Sequence, residues 1–163
     1  MKTLYIVRHA KSSWDYPELM DEERPLLDKG KKRTKKVVDF LLTKGVSLDS
    51  VKSSHAVRAL ETARIIAHAV HFPVDDIIVE KQIYHASAEQ LFDQFNDLSD
   101  NIQSLMMVGH NPTFTNFANY FLDSGIEWLP TSGIVSISFD TESWVDVMKA
   151  KRKTNFVVYP KMI

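Results

Sequence analysis

The stretch TLYIVRH at residues 3–9 decides the fold, because an apolar run stops there on a cation and a titratable ring. The apolar part predicts a buried strand, and Arg8 and His9 follow it directly. A second stretch, SLMMVGH at residues 104–110, repeats this design and ends in His110. The carboxyl ends of parallel strands meet at one edge of an open sheet, where ligands bind. We therefore expect the two histidines to lie close together.

The composition describes an ordinary soluble domain. The chain has 163 residues, 44% of them apolar and 25% charged, and a net charge of −1. We expect a single domain over residues 1–163, with no basic field that would attract nucleic acid. The absence of cysteine excludes disulfides, thiolate zinc sites and a cysteine nucleophile.

No segment is typical of membrane insertion or export. No stretch approaches the ~20 apolar residues that cross a bilayer. Residues 4–7 are too short for the core of a signal peptide. We expect a cytoplasmic protein without a membrane partner, and the sequence leaves its oligomeric state unknown.

Short apolar runs alternate with amphipathic segments along most of the chain, which predicts an α/β domain. The expected architecture is a three-layer sandwich, with a mostly parallel central sheet and helices on both faces. Predicted helices run from Asp28, as a cap, to about Thr43, over residues 56–70, from a capping box at Ser87, and after Pro112. Predicted strands cover residues 3–7, 48–53, 77–79 and 104–109.

The C-terminal part and one early segment have a different pattern. GIVSISF at residues 133–139 alternates apolar and polar residues, and SWVDVMK follows at residues 143–149. Together they predict an antiparallel hairpin that makes the sheet mixed. The polar segment at residues 14–27 contains two prolines, and we interpret it as a loop.

A third predicted strand end places another cation in the same region. KSSHAVR at residues 52–58 leads into a helix, and Arg58 lies in its first turn, where free N–H groups favour an anion. With Arg8, His9 and His110, the site would suit a phosphoryl group, because arginine donors match its oxygens. Neutral imidazole is nucleophilic near pH 7, so histidine is the favoured covalent nucleophile.

Each of these residues also has a simpler explanation. A histidine at a strand end is commonly capped or solvated, and Arg58 alone would suit an ordinary surface. A purely structural α/β domain would leave His9 and His110 far apart. The sequence has no metal-ligand spacing, no nucleotide-binding glycine loop and no G-x-S-x-G elbow, so we expect neither a metal nor a cofactor.

Four segments together resemble the histidine phosphatase superfamily, also called phosphoglycerate-mutase-like. They are IVRHAKS at residues 6–12, RPLLDKGKKRTKKV at 24–37, VKSSHAVRALETARII at 51–66 and VGHNP at 108–112. The Arg-His pair after the first strand is the hallmark of this family. The short length and the RPL segment look most like the SixA-type phosphohistidine phosphatase branch.

The resemblance implies a role for each matching residue. His9 would be the nucleophile and carry a transient phosphohistidine, while Arg8 and Arg58 would grip the phosphoryl oxygens. His110 would donate a further hydrogen bond to them. Phosphoryl transfer spreads negative charge over three oxygens, so these donors could replace a metal ion.

The leaving-group acid is harder to identify. Larger family members supply a Glu or Asp, and Glu89 is our first candidate, ahead of Glu80 and His85. Glu89 also lies in the first turn of a predicted helix, where acids are favoured in any case. Ser12 and Asn111 are further candidates for phosphate binding, although Ser12 could be ordinary loop and Asn111 could cap the following helix.

Three more residues near these motifs have open assignments. Arg24, in the RPL segment, either lines the site or pairs with a loop acid. Thr131 and Ser132, before the predicted hairpin, resemble a family segment that lies near the site.

The lack of a clearly identified leaving-group acid affects which substrate we expect. A phosphoramidate has a leaving imidazole that can already be protonated, and the short span between Arg58 and His110 leaves little room for a cap over the site. The sequence therefore predicts a metal-independent phosphatase acting on protein phosphohistidine. The alternatives are a small-molecule phosphomonoesterase of the same superfamily and a non-catalytic phospho-residue binding module, which would have lost its nucleophile. Mutase activity would need a longer chain.

Overall fold

The computed structural model describes residues 1–163 and contains six strands and four α-helices. The strands are β1 (Lys2–Arg8), β2 (Ser50–Ser53), β3 (Ile78–Val79), β4 (Ser104–Gly109), β5 (Ile134–Phe139) and β6 (Arg152–Val158). The helices are α1 (Asp28–Thr43), α2 (Val57–Ala69), α3 (Ala88–Phe92) and α4 (Thr113–Phe121). None of the helices combines the length and apolar character that a membrane span needs.

The six strands form one mixed sheet in the order β3-β2-β4-β1-β5-β6. The first four of these are parallel, and β5 runs antiparallel to both β1 and β6. Strands β1 and β4 are neighbours, and Arg8 lies opposite Gly109 in their register. The predicted fold class is confirmed, and the register brings the ends of β1 and β4 to the same edge.

Two apolar cores lie on opposite faces of this sheet. Leu4 and Ile6 of β1 belong to the core that contains Phe114 and Phe117 of α4. Tyr5 and Val7 alternate with them and belong to the core that packs against α1 and α2. This period of two along β1 is the reason that the strand is buried on both faces.

The predicted second strand of the hairpin, residues 143–149, is wrong. Trp144–Asp146 form a 3₁₀ turn instead, and the partner of β5 begins only at Arg152. Trp144 is fully buried, and its indole N–H donates to the Ile102 carbonyl at 2.7 Å. Because Trp144 and Val147 both face the core three residues apart, a turn buries them better than an alternating strand.

The predicted helix boundaries differ from the structure at one cap. The N-cap of α1 is Leu27, and Asp28 is the first helical residue, with no side-chain cap at this end. Past the other end, Gly45 has a φ of +64°, which suits glycine after a helix. The capping box between Ser87 and Gln90 is present at the start of α3.

Candidate active site

The structure brings the two strand-end histidines together. The rings of His9 and His110 have centroids 5.2 Å apart and are tilted by 51°. Gly109 allows the end of β4 to pack closely on α4, because a Cβ there would lie 2.3 Å from the Phe114 ring. This proximity contradicts the hypothesis of a purely structural α/β domain, which predicts that the two histidines lie far apart.

The environment of His9 keeps its ring neutral and orients it. The side-chain Nδ1 lies 2.8 Å from the Ala10 carbonyl oxygen. A carbonyl can only accept, so Nδ1 carries the proton and Nε2 keeps its lone pair. Burial lowers the pKa of His9 to about 4, and the charges of Arg58, Arg8 and Arg24 also lower it. The ring of His9 is therefore neutral at neutral pH, with an unprotonated Nε2.

His110 is also held neutral. Burial lowers its pKa to about 3, with further lowering from His9 and Arg58. Its Nε2 lies 2.8 Å from the Ser54 hydroxyl, which itself accepts from the Ala56 N–H at 3.1 Å. Its Nδ1 is buried without a partner in the protein. One ring nitrogen of His110 is therefore left without a hydrogen bond inside the protein.

Arg58 is held by the carboxylate and the backbone of Asp21. Its Nη1 donates to the Asp21 carbonyl at 2.7 Å, and its Nη2 donates to Asp21 Oδ2 at 2.9 Å. Arg24 donates to Oδ1 of the same carboxylate at 3.1 Å, and the Tyr84 hydroxyl donates to Oδ2. Burial raises the pKa of Asp21, but these three donors outweigh it and hold the pKa well below its ordinary value.

Asp21 and Tyr84 are site residues that the sequence analysis missed. Asp21 begins a 3₁₀ turn within the segment that was predicted only as a loop. Its spacing of three residues from Arg24 was the one local signal that could have indicated an ion pair. Nothing local to Tyr84 points to Asp21, which is 63 residues away.

Arg24 both lines the cleft and pairs with a loop acid, Asp21, so the two predicted alternatives for it are both present. Its Nη2 donates to the Ser12 hydroxyl at 2.7 Å, and its Nε donates to the Ser13 carbonyl at 2.9 Å. Its guanidinium carbon lies 3.3 Å from the centroid of the exposed Trp14 ring. Ser12 lines the cleft too, and its hydroxyl accepts from Arg24.

Arg8 and Asn111 share one backbone acceptor. Arg8 Nη1 donates to the Leu129 carbonyl at 3.2 Å, and Asn111 Nδ2 donates to the same oxygen at 2.8 Å. Asn111 Oδ1 accepts from the Thr115 N–H at 3.0 Å, so this side chain does cap the first turn of α4. Arg8 Nε is buried without a partner, and the guanidinium lies 5.6 Å from the Trp128 ring centroid.

The backbone N–H of Ser132 donates to two carbonyls at the end of β1. Its N–H lies 3.1 Å from the Arg8 carbonyl and 3.2 Å from the His9 carbonyl. Its φ of +61° lies in the left-handed region, which costs a non-glycine residue on the order of 1 kcal/mol. Its hydroxyl lies 2.8 Å from that of Thr34, so α1 also supports this strained residue.

These residues surround an open cleft of about 440 Å³. The cleft is lined by the predicted site residues Arg8, His9, Ser12, Arg58, His110 and Asn111. Trp14, Asp15 and Arg24 line it as well.

The three acid candidates from the sequence do not line the cleft. Glu89, Glu80 and His85 are absent from the lining of the cleft, and Glu89 is exposed on α3. Asp15 is the one carboxylate among the lining residues. No group of three His, Asp or Glu side chains is placed to hold a metal ion.

Comparison with other sequences identifies a family. The model of the histidine phosphatase superfamily (branch 1) matches residues 4–84. An uncharacterized protein of Mycobacterium tuberculosis is 29% identical over 153 residues, which cover 86% of this chain and 91% of that protein. An uncharacterized chloroplastic protein of Arabidopsis thaliana is 28% identical over 152 residues, covering 88% of this chain and 69% of that protein.

Comparison with solved structures agrees at the level of the fold. The protein histidine phosphatase SixA complexed with tungstate has a TM-score of 0.78 at 18% identity, with 98% of both chains covered. A candidate SixA from Agrobacterium tumefaciens has a TM-score of 0.79 at 24% identity, also covering 98% of both chains. A mycobacterial glucosyl-3-phosphoglycerate phosphatase has a TM-score of 0.69 at 11% identity, covering 96% of this chain and 98% of that one. Residues 4–84 therefore match the histidine phosphatase superfamily in sequence, and the chain as a whole shares the fold of the solved phosphatases.

Proposed function

We propose that this protein hydrolyses phosphohistidine on proteins through a covalent phosphohistidine formed on His9. The observation that carries the proposal is the buried, neutral ring of His9, which lines the cleft together with the cationic groups of Arg8 and Arg58. The match of residues 4–84 to the superfamily model supports phosphatase activity in general. The identity of the substrate and the individual roles of the residues are our inference.

In the first step, His9 Nε2 attacks phosphorus and forms a P–N bond. The bond from phosphorus to the leaving nitrogen breaks, and that nitrogen keeps the electron pair. Arg58 uses two of its five N–H groups on Asp21, so three remain for the phosphoryl oxygens. Arg8 and His110 supply further donors to the charge that develops on those oxygens.

In the second step, water attacks phosphorus and the P–N bond to His9 breaks. The electron pair returns to Nε2, inorganic phosphate departs, and His9 is neutral again. Because its pKa is about 4, His9 does not compete for a proton at neutral pH and is ready for the next turnover.

The cleft favours a substrate whose leaving group carries its own proton. A protonated imidazole departs without help, whereas an alkoxide needs a positioned acid. The exposed rings of Trp14 and Trp128 flank the cleft, and aromatic rims of this kind are typical of protein-binding surfaces. The likeness to SixA, a protein histidine phosphatase whose structure contains the oxyanion tungstate, supports the same class of substrate.

One observation favours a second candidate, a small phosphomonoester. The carboxyl of Asp15 lines the cleft and could protonate an alkoxide there. The mycobacterial neighbour that acts as a glucosyl-3-phosphoglycerate phosphatase has a similar fold. A fast alkyl phosphatase activity that depends on Asp15 would decide for this candidate.

The test compares three substrates on the wild type and on His9→Ala. We expect the wild type to hydrolyse an aryl phosphate and a phosphohistidine protein much faster than an alkyl phosphate. We also expect it to form an acid-labile phosphoenzyme that His9→Ala lacks. His68→Ala, which changes an exposed histidine of α2, is the matched control. If none of the substrates is hydrolysed, or if His9→Ala retains the wild-type rate, the proposal fails.

A further inference from the structure

A row of cations lies along one side of the cleft. Three of them, Lys29, Arg33 and Lys36, are exposed on α1 at positions i, i+4 and i+7, and therefore share one face of that helix. Lys11 lies two residues after His9 and lines the cleft itself. Lys161 comes from the C-terminal 3₁₀ turn. We call these five residues the basic rim.

The backbone forces two parts of the basic rim together. A Cβ on Gly30 would lie 2.4 Å from the Lys11 carbonyl oxygen, so only glycine permits this approach of α1 to the residues after His9. The same carbonyl accepts from the Leu27 N–H at 2.9 Å. As a result, Lys29 and Arg33 lie close enough to lower the pKa of Lys11.

No carboxylate neutralises the basic rim. None of its five members takes part in an ion pair, whereas Lys31, on a different face of α1, pairs with Glu61 at 4.0 Å. Like charges that are held together repel one another and reduce stability. An anion that binds between them would remove this repulsion.

The basic rim also lines a groove that continues from the cleft. Arg33, Lys36 and Lys161 line a groove of about 360 Å³ together with Tyr159. Thr131 lines both this groove and the cleft that contains His9. A ligand whose phosphoryl group occupies the cleft can therefore extend into the groove without leaving the surface.

We propose that the basic rim is a second anion-binding subsite, which holds acidic side chains near the phosphorylated residue of a protein substrate. This inference rests on the proposed function and specifies its substrate as an acidic protein surface. The row from Lys29 to Lys36 spans about 10 Å of helix, more than one phosphate occupies. Several carboxylates spread over a protein surface match such a row, and the net charge of −1 gives no general field for nucleic acid.

The test uses two dye-labelled peptides that carry the same hydrolysis-resistant phosphohistidine analogue. One has Asp and Glu around the analogue, and the other has Ser and Gln. Fluorescence anisotropy gives the dissociation constant of each peptide at low and at high salt. Because neither peptide is turned over, binding is measured independently of catalysis.

Two double variants separate the position of the charges from their number. Lys29→Glu with Arg33→Glu changes the basic rim, and Lys32→Glu with Lys35→Glu makes the same change of charge at exposed positions of α1 outside the rim. We expect the wild type to bind the acidic peptide about tenfold more tightly at low salt, and this preference to vanish at high salt. The rim variant should lose the preference, the control should keep it, and circular dichroism should show that both variants are folded.

Each other outcome contradicts the inference in a recognisable way. Equal binding of both peptides to the wild type, or the same loss in both variants, would overturn it. Selective binding of RNA or anionic vesicles by the basic rim, without a peptide preference, would assign the rim to another polyanion and overturn it as well. An acidic preference in a protein without any turnover would instead refute only the hydrolytic role, so the two failures are distinguishable.

Discussion

Two regions position the candidate site in different ways. The ends of β1 and β4 are buried, and the sheet fixes the separation of His9 and His110 through backbone hydrogen bonds. The segment of residues 14–24 is irregular and largely exposed, and it holds Arg58 through the carboxylate and carbonyl of Asp21. The sheet thus sets the position of His9, the proposed nucleophile, whereas hydrogen bonds from its own side chain to Asp21 set the position of Arg58, the proposed phosphate-binding arginine. The two regions should respond differently to mutation and to pH.

The largest effect should come from the strand end. His9→Ala removes the nitrogen that we propose attacks phosphorus, and we expect kcat for an aryl phosphate to fall by a factor of at least about 10³. Circular dichroism and thermal unfolding should show a folded protein, because β1 keeps its backbone pairing. If the variant forms a phosphoenzyme on another residue, the role given to the end of β1 is wrong.

The pH dependence should reveal the burial of the strand-end histidines. The folded pKa values of His9 and His110, about 4 and about 3, lie below the ordinary 6.5, so the unfolded chain binds protons that the folded chain excludes. The free energy of unfolding should therefore be highest above pH 6.5 and fall as the pH drops towards 4, for His9 alone by on the order of 3 kcal/mol.

Two measurements check this pH dependence. Urea unfolding at a series of pH values gives the stability, and NMR titration of the ring C–H signals gives the pKa values. His9→Ala should have a flatter stability profile than the wild type between pH 6.5 and 4. Titration of both rings near pH 6.5 would contradict the structure.

A smaller effect should come from the irregular segment. Asp21→Asn removes the negative charge that holds Arg58 and Arg24, and we expect kcat/KM to fall by about 10- to 100-fold, mainly through KM. Glu22→Gln, beside it in the same turn, is the matched control. A faster Asp21→Asn enzyme would mean that the carboxylate competes with substrate for Arg58 rather than orienting it.

The smallest effect should come from the outermost hydrogen bond. Tyr84→Phe removes one donor to Asp21 Oδ2 but keeps the ring, whose centroid lies 5.3 Å from that of His110. We expect kcat/KM to fall by no more than about threefold, because Arg58 and Arg24 still hold the carboxylate. Tyr120→Phe, at an exposed ring of α4, should match the wild type. A loss as large as that of Asp21→Asn would show that the tyrosine dominates the cluster.

The strand ends could be predicted because their causes are local. Alternating and continuous apolar runs define β1 and β4, and parallel topology brings their carboxyl ends together. The environment of Asp21 could not be predicted, since its partners Arg58 and Tyr84 lie 37 and 63 residues away. Glu89 was a candidate because its segment resembles the region in which mutase-like family members carry their acid, but such a resemblance does not specify whether the side chain reaches the cleft. The turn at Trp144 could not be predicted either, because burial of its side chain in the core outweighed the local strand pattern.

The carbonyl of Leu129 has a consequence for how this protein can change during evolution. This one oxygen accepts from Arg8 at the end of β1 and from Asn111 after the end of β4. Because it belongs to the main chain, substitution of the Leu129 side chain leaves the acceptor in place. The link between the two strand ends is therefore robust to point mutation at this position. It depends on the path of the connection between α4 and β5, so insertions and deletions there should be far less tolerated than substitutions.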